Sequence, residues 1–397
     1  MKKLRIIVGG YIGLMPVGGL TWHYVQYPVG FAELGHDVFY IENTRCYPIY
    51  QKEVSKWDDC SLSVEYLSKV MDFFGMSERW AYRDVASGKC FGLPLEKVQE
   101  IINTADILVN VSCSTSMSDE LQRIPVRILL DTDPMFVQIQ LVKPQKIGTG
   151  NPGMREMVKA SNYYFTFGEN IAAQDCHIPT GGLKWHPTRQ PICLKYWNAD
   201  SLKATSSGAL TTVMNWAAAK RLRYEGEFWG QKNVEFKKYL SLPKLVPEVQ
   251  MTVAVTQAAK TGTSAFPIEK AEAKGWQVLD PEVCAGNWIS YQNFIENSLG
   301  EFSVAKEIYV KARTGWFSDR SACYLASGRP VIAQETGWSK FIPTGKGVFA
   351  FDNQQSAVEA IREVTNEPEK HSLAVREIAK EFFDSKKVLK ALLEKVT

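Results

Sequence analysis

The sequence predicts an α/β protein of two domains, each built on a parallel sheet. Its 397 residues exceed the usual size of one domain and fit two. In both halves, short apolar segments alternate with amphipathic ones, a pattern typical of β-α-β units. Between the halves, residues 179–208 are interrupted by proline, glycine and serine, as expected of a linker. We expect the two domains to face each other across a cleft, which suits an enzyme that holds one substrate on each domain.

In the first half, strands and helices are predicted in alternation. The predicted strands are 4–8, 38–41, 107–111, 126–130 and 163–167, and the predicted helices are 20–34 with an interruption at Pro28, 61–74 and 95–103. Ligand sites of such sheets lie at the carboxyl ends of the strands, so polar residues that follow a strand are candidates for function.

The second half repeats this alternation. The predicted strands are 212–214, 250–255, 276–279, 307–310, 330–333 and 347–351, and the predicted helices are 233–240, 265–274, 291–297 and 319–326. A charged, mostly helical tail follows. We place the domains at 1–190 and 191–375, with a C-terminal helix at 376–397 for which packing back on the first domain is one option.

Composition excludes several classes of function. The net charge, 46 − 43 = +3, is too small to make nucleic acid the main partner. No run of about 18 apolar residues predicts a membrane span. The basic and apolar start, Met1 to Val8, ends at a glycine pair without a cleavage motif and predicts a buried strand. Eight scattered cysteines without a C-x-x-C pair indicate reduced thiols in a cytoplasmic protein and no zinc site.

The most informative segment is 311–337. We predict a strand that ends near Val310, a polar loop, and a helix that starts at Ser318 or Asp319. The first N–H groups of a helix lack internal partners and attract phosphate. Arg313 and Arg320 would add charge-assisted hydrogen bonds. The alternative is that Ser318 or Asp319 only caps the helix and Arg320 is solvated.

Two motifs carry a resemblance to a known family. The run Gly-Trp-Phe-Ser, a short helix, Ala-Ser-Gly-Arg-Pro-Val-Ile-Ala and then Glu-Thr-Gly resembles the donor-binding module of GT-B glycosyltransferases. A glycine pair at 18–19, followed 17 residues after Gly18 by Gly35-His36-Asp37-Val38, resembles the start of family-4-type enzymes. This resemblance implies two Rossmann-like domains, the C-terminal one holding most of a nucleotide sugar.

The resemblance has departures. Family-4 enzymes carry two glutamates eight residues apart, and the matching positions here are Gly315 and Cys323. The Gly-Trp-Phe-Ser run is closer to family-1 inverting enzymes, whose His-Cys and Asp-Gln pairs are missing. Inverting and retaining stereochemistry therefore both stay open.

The resemblance also implies a donor site without a metal. Lys232, after the first strand of the second domain, would neutralise the leaving diphosphate, although a solvated surface lysine is the alternative. Glu335 to Gly337 would bond hydroxyls of the donor sugar, or form only a tight turn. The predicted donor-binding residues are Gly18, Gly19, Lys232, Arg313, Ser318, Asp319, Arg320, Ser321, Glu335, Thr336 and Gly337.

Three residues are candidates for removing a proton from the acceptor. Asp131 and Asp133 follow the strand 126–130, where a carboxylate can act as a general base, although each could instead cap a turn. His23 lies one turn into the first helix, near the point where inverting GT-B enzymes place a catalytic histidine, and a structural role is its alternative. In a retaining enzyme the leaving phosphate could take the proton.

The predicted function is therefore transfer of a hexosyl or pentosyl group from a nucleotide sugar to a small-molecule or glycan acceptor, without cofactor or metal. Alternatives are a nucleotide-sugar epimerase of the same architecture and a non-catalytic nucleotide-sugar-binding protein. Gly10, Gly13 and Glu42 only partly match the dinucleotide fingerprint, so an NAD-dependent enzyme is disfavoured.

Overall fold

The chain forms two compact units. A computed structural model describes residues 2–44, 59–84, 87–142, 152–197, 208–217, 221–256 and 264–397. The first unit comprises Met1–Phe167, Pro179–Cys193 and Ser385–Thr397, and the second comprises Gly168–Ile178 and Leu194–Asp384. The domain boundaries that the sequence indicated, after residues 190 and 375, stay predictions. Part of the predicted linker, 198–207, lies outside the described residues. Within the described ranges, no helix combines the length and apolar character needed to cross a bilayer.

The first unit contains eight strands and seven helices among its described residues. They are β1 (Arg5–Gly9), α1 (Gly18–Glu33), β2 (Asp37–Thr44), α2 (Ser61–Phe73), β3 (Trp80–Asp84), β4 (Lys89–Gly92), α3 (Leu95–Thr104), β5 (Ile107–Val111), α4 (Asp119–Gln122), β6 (Val126–Asp131), α5 (Phe136–Val142), α6 (Pro152–Ala160), β7 (Tyr163–Thr166), β8 (Trp185–Pro187) and α15 (Ser385–Leu393).

The strands of the first unit form one sheet in the order β4-β3-β2-β1-β5-β6-β7-β8. Only the β3–β4 pair is antiparallel. β5 is buried along its whole length, which explains why its sequence is apolar except for Asn110, whose side chain donates to Thr115 O. The helix predicted to be interrupted at Pro28 runs through it, from Gly18 to Glu33. α15 packs on α1, where a Cβ on Gly30 would lie 2.6 Å from Leu389 Cδ1.

The second unit follows the same plan. Its strands and α-helices are β9 (Leu210–Met214), β10 (Leu222–Tyr224), β11 (Glu227–Trp229), α7 (Lys232–Glu235), β12 (Met251–Val255), α8 (Ile268–Glu272), β13 (Trp276–Leu279), α9 (Pro281–Ala285), α10 (Trp288–Glu296), β14 (Gly300–Ser303), α11 (Glu307–Lys311), α12 (Asp319–Ala326), β15 (Val331–Gln334), β16 (Val348–Phe351), α13 (Gln354–Asn366) and α14 (Pro368–Phe382).

Six parallel strands form the sheet of the second unit, in the order β13-β12-β9-β14-β15-β16. Around this sheet pack aromatic side chains such as Phe236, Trp276 and Phe302. The prediction of a strand at 307–310 is wrong, because that segment is helix α11 and the strand before it is β14.

Both sheets have a switch point, where consecutive stretches of chain lead away to opposite sides. In the first sheet it lies between β1 and β5, and in the second between β9 and β14. Doubly wound sheets bind ligands at the carboxyl ends of the strands beside such a point. The fold therefore directs attention to the residues after β1, β5, β9 and β14.

Candidate functional site

At the switch point of the second sheet, Arg320 connects β9 and β14. Its Nε donates to Glu301 Oε1 at 2.5 Å, Nη1 donates to Val213 O at 2.7 Å, and Nη2 donates to Ser303 Oγ at 2.8 Å. Glu301 is fully buried and Arg320 nearly so. Burial opposes the charge of the guanidinium, but the Glu301 carboxylate outweighs it and the pKa of Arg320 is raised. Arg320 is therefore a permanent cation, fixed in the sheet rather than solvated.

Lys232 brings a second cation to this point. It begins α7 and is 7% exposed, which excludes the alternative of a solvated surface lysine. Its ammonium makes no hydrogen bond or ion pair with another residue that the structure describes. Burial and then the charge of Arg320 lower its pKa well below the ordinary value. A buried amine without a partner is costly, and an anion that bound there would offset that cost.

Arg320 lies in the first turn of α12, so the N-terminus of this helix belongs to the same site. Ser318 occupies the N-cap position, but its side chain does not cap the helix. The hydroxyl of Ser321, in the first turn, is fully buried and has no hydrogen-bond partner among the described residues. Both serines line a small pocket together with Ser303, Trp316, Gln334 and Trp338. Asp319 adds a carboxylate to the first turn, which favours the helix itself.

The loop before α12 is held by a strap, residues 168–178, that comes from between β7 and β8. Asp175 pairs with Arg313 Nε at 2.8 Å and with Lys340 Nζ at 2.7 Å, and these bonds lower the pKa of its carboxyl. Buried Asn170 donates to Arg313 O at 2.8 Å. Arg313 has a φ of 48°, a strained value for a residue with a side chain. Its guanidinium thus already has an anionic partner.

Gly315 explains one departure from the family-4 pattern. Its φ is 77°, and a Cβ there would lie 2.5 Å from Asn170 N. Any side chain, a glutamate included, would be strained and would clash with the strap. The matching second position, Cys323, is buried within α12.

The segment after β15 is tied to the same loop. Thr336 Oγ1 donates to Trp316 O at 2.7 Å, and Thr336 O accepts from Gly315 N at 2.7 Å. Glu335 Oε1 accepts from Gly337 N, and Gly337 has a φ of 101°. The structure therefore joins Thr336 to the loop that follows Arg313, whereas Glu335 and Gly337 bond each other within one turn.

The other predicted residues lie in the first unit. Gly18 and Gly19 form the first turn of α1, whose N-cap position carries no side-chain cap. His23, 6% exposed, follows one turn later, and its Nε2 lies 3.1 Å from Ser112 Oγ. Ser112 Oγ lies 2.7 Å from Thr132 Oγ1. The switch point of the first sheet thus holds a chain of polar side chains.

Asp131 and Asp133 differ in environment. Asp131 is 1% exposed, and its carboxylate accepts from Gln138 Nε2, Thr166 Oγ1 and Asp133 N. Burial raises its pKa to about 6, although those hydrogen bonds oppose the shift. Asp133 is exposed at the same strand end. Asp133 is therefore the one of the two that a substrate can reach directly.

The residues of the partial dinucleotide fingerprint are used internally. Glu42 is fully buried and accepts from Gly13 N at 2.9 Å and Leu14 N at 2.7 Å. Burial raises its pKa to about 7 despite these bonds. A Cβ on Gly10 would meet Tyr24 and Tyr40 at 2.7 Å, so Gly10 allows these rings to pack against the backbone. The glycine and the acidic residue of the fingerprint thus both have structural roles here.

One cluster of the described residues has the composition of a metal site: Glu363, Glu367 and His371. His371 Nδ1 accepts from Gly347 N at 3.0 Å, so the hydrogen of the neutral ring is on Nε2. Burial lowers the pKa of His371, which keeps the ring neutral. A ligating lone pair is therefore absent at the nitrogen that faces Glu363.

Sequence reasoning missed four residues that organise these sites. Glu301 stands in the four-residue strand Gly-Glu-Phe-Ser, which has no apolar pattern, and Asn170, Asp175 and Ser112 stand in loops. A signal was available for Ser112, since it directly follows a predicted strand. For Asn170 and Asp175 no local signal exists, because their partners are about 140 residues away in sequence.

Comparison with known proteins shows the fold. No protein-family model matches the chain, and no curated protein matches it. Among solved structures, an alpha-glucosyltransferase in complex with UDP and a 13-mer DNA is similar at 12% identity and a TM-score of 0.56, with 100% of both chains covered. Alr3699/HepE of Anabaena, in complex with UDP and glucose, is similar at 8% identity and a TM-score of 0.55, with 99% of both chains covered.

A third structure, AviGT4, a glycosyltransferase involved in avilamycin A biosynthesis, is similar at 11% identity and a TM-score of 0.54, with 98% of this chain and 96% of that chain covered. The chain therefore has the fold of GT-B glycosyltransferases, with two Rossmann-like parallel sheets, as predicted. At such low identity the likeness carries the fold and not the activity.

Proposed function

We propose that this chain is a glycosyltransferase that takes a hexosyl or pentosyl group from a nucleotide sugar. The observation that carries the proposal is the unpaired ammonium of Lys232, on a side chain that is only 7% exposed, beside Arg320 at the switch point of the second sheet. Such a site gains from an anion with several oxygens, as a diphosphate has. The bound UDP in two of the similar structures supports this choice of anion.

The second unit would hold the donor. The N–H groups of Asp319 to Ser321 and the ammonium of Lys232 would bind the diphosphate, and Arg320 would contribute its fixed charge. Together these cations would stabilise the leaving group without a metal. Thr336 and Gly337, tied to the loop before α12, would face the sugar, and Gly18 and Gly19 would add the N-terminus of α1.

The first unit would hold a small-molecule or glycan acceptor. If the reaction inverts, either the exposed Asp133 or the buried His23 would remove the proton of the acceptor hydroxyl. Buried Asp131, which accepts from Asp133 N, would position the turn that carries Asp133. The small net charge keeps nucleic acid out of the proposal, although one similar structure contains DNA. The proposal places the protein in the cytoplasm, where scattered cysteines such as these stay reduced.

Isothermal titration with UDP, GDP, TDP, ADP and NAD tests the proposal. We expect one nucleoside diphosphate to bind and Lys232→Met to weaken that binding. Lys237 is an exposed lysine of the same segment, and Lys237→Met should leave the affinity unchanged. Conversion of one nucleotide sugar into another, without release of the nucleotide, would select the epimerase. Binding without turnover of any sugar would select a binding protein, and binding of NAD alone would contradict the proposal.

A further inference from the structure

The switch point of the first sheet holds a hydrogen-bonded pair that no motif assigns, Ser112 and His23. His23 lies on the helix that follows β1, and Ser112 is the first residue after the neighbouring strand β5. The topology therefore brings both residues to the sheet edge where doubly wound proteins bind ligands. His23 Nε2 is 3.1 Å from Ser112 Oγ, within hydrogen-bond distance.

Burial makes Ser112 the more accessible member of the pair. The imidazole is 6% exposed, with the rings of Tyr24 and Phe167 edge-on to it at 4.8 and 6.2 Å, whereas Ser112 is only half-buried. A substrate would thus meet the hydroxyl before the imidazole. The hydroxyl connects a buried base to the exposed edge of the sheet.

Backbone strain marks the same residue. Ser112 and Cys113 have φ values of 55° and 54°, and Met135, shortly after β6, has 76°. Left-handed backbone is unfavourable for a residue that carries a side chain. It persists where the surrounding structure fixes it, which is frequent at functional sites. Here the strained turn directs the Ser112 hydroxyl toward His23.

A count of hydrogens limits the possible directions of the bond. A serine hydroxyl donates once and accepts twice. Ser112 Oγ has three partners: His23, Thr132 at 2.7 Å and Tyr24. Burial raises the pKa of Tyr24 well above its ordinary value, so its hydroxyl keeps the hydrogen to donate. With Tyr24 donating, Ser112 Oγ can accept one more hydrogen and donate its own. That hydrogen points either to His23 Nε2 or to Thr132 Oγ1, and the first arrangement leaves Nε2 able to take a proton.

We infer that the hydrogen of Ser112 points to His23 Nε2 and that Ser112 is a catalytic residue that relays a proton to His23. Its role in transfer rests on the proposed function, while the hydrogen bond rests on geometry alone. When the acceptor binds, its hydroxyl donates to Ser112 Oγ in place of the Thr132 hydroxyl. As its oxygen bonds the anomeric carbon, its proton passes to Ser112 Oγ and the proton of Ser112 passes to Nε2. The bond from the anomeric carbon to the diphosphate breaks, and the diphosphate leaves with the electron pair.

The tautomer of His23 tests the hydrogen bond without any activity. Long-range ¹H–¹⁵N correlation spectra of the full chain, labelled on histidine, resolve which ring nitrogen carries hydrogen, and His23→Gln assigns the signal. We expect Nδ1–H with a bare Nε2 in the wild type, a changed tautomer population in Ser112→Ala, and no change in Ser114→Ala. A hydrogen on Nε2, or no effect of Ser112→Ala, would overturn the inference.

Hydrolysis of UDP-glucose, with water as acceptor, tests the relay. We expect Ser112→Ala and His23→Gln each to lower turnover by about 100-fold, and the double variant to be no slower than His23→Gln. UDP affinity stays unchanged in all three. Full turnover by Ser112→Ala would overturn the relay. If the wild type neither binds nor turns over any nucleotide sugar, the proposed function fails, and the spectra still decide the hydrogen bond.

Discussion

Replacing Lys232 by methionine separates the stability of the second unit from its affinity for a diphosphate. Methionine keeps most of the apolar stem of the buried side chain and removes the unpaired ammonium. A charge-assisted hydrogen bond contributes about 1.5–3 kcal/mol, so UDP should bind roughly 10- to 150-fold more weakly. The free energy of unfolding should stay the same or rise, because no described residue loses a bond to this ammonium.

The dependence on pH gives this prediction a sign. The folded pKa of Lys232 is lowered from 10.5, so between the two values the unfolded chain holds more protons than the folded one. Wild-type stability therefore rises with pH in that window, and any advantage of Lys232→Met shrinks as the pH approaches 10.5.

Urea denaturation and isothermal titration measure the two effects, with Lys237→Met as the control for a lysine of the same segment. Unchanged UDP binding in Lys232→Met would refute the anion site. So would a loss of binding that only follows a loss of folding.

Three further predictions concern buried charged residues of the two units. Arg320→Ala should destabilise by about 3–5 kcal/mol, since it leaves Glu301 buried without its cation, and Arg320→Ala/Glu301→Gln should recover part of that loss in urea denaturation. The pKa of Glu42 is raised from 4.5 to about 7, so the folded chain holds more protons than the unfolded chain between these values. The free energy of unfolding should therefore fall by roughly 3 kcal/mol as the pH rises from 4.5 to 7. Glu42→Gln should remove most of this pH dependence. Asp131→Asn should cost about 1–3 kcal/mol, because its amide turns a donor toward Gln138 or Thr166, whereas exposed Asp133→Asn should change turnover without changing the melting temperature.

The apolar strands and the start of α12 could be predicted from the sequence, because each depends on local pattern. β14 could not, because its sequence Gly-Glu-Phe-Ser alternates polar residues that face Arg320 with residues of the core. The apolar run from Ile308 to Val310 instead predicted a strand. In the structure this run lies in the short helix α11, which buries Ile308 and Tyr309.

Part of the candidate site also lay beyond prediction. Arg320 was identified as a cation near α12, yet its buried partner Glu301 lies 19 residues earlier in an unrecognised strand. The strap that fixes Arg313 and Gly315 comes from the first half of the sequence. Pairings between such distant segments are decided by the folded backbone and leave no local pattern.

A crystal structure of the chain with UDP tests the central claim most directly. We predict pyrophosphate oxygens within hydrogen-bond distance of Lys232 Nζ and of the N–H groups of Asp319 to Ser321. A pyrophosphate bound elsewhere, with the ammonium of Lys232 still buried and unpaired, would contradict the account.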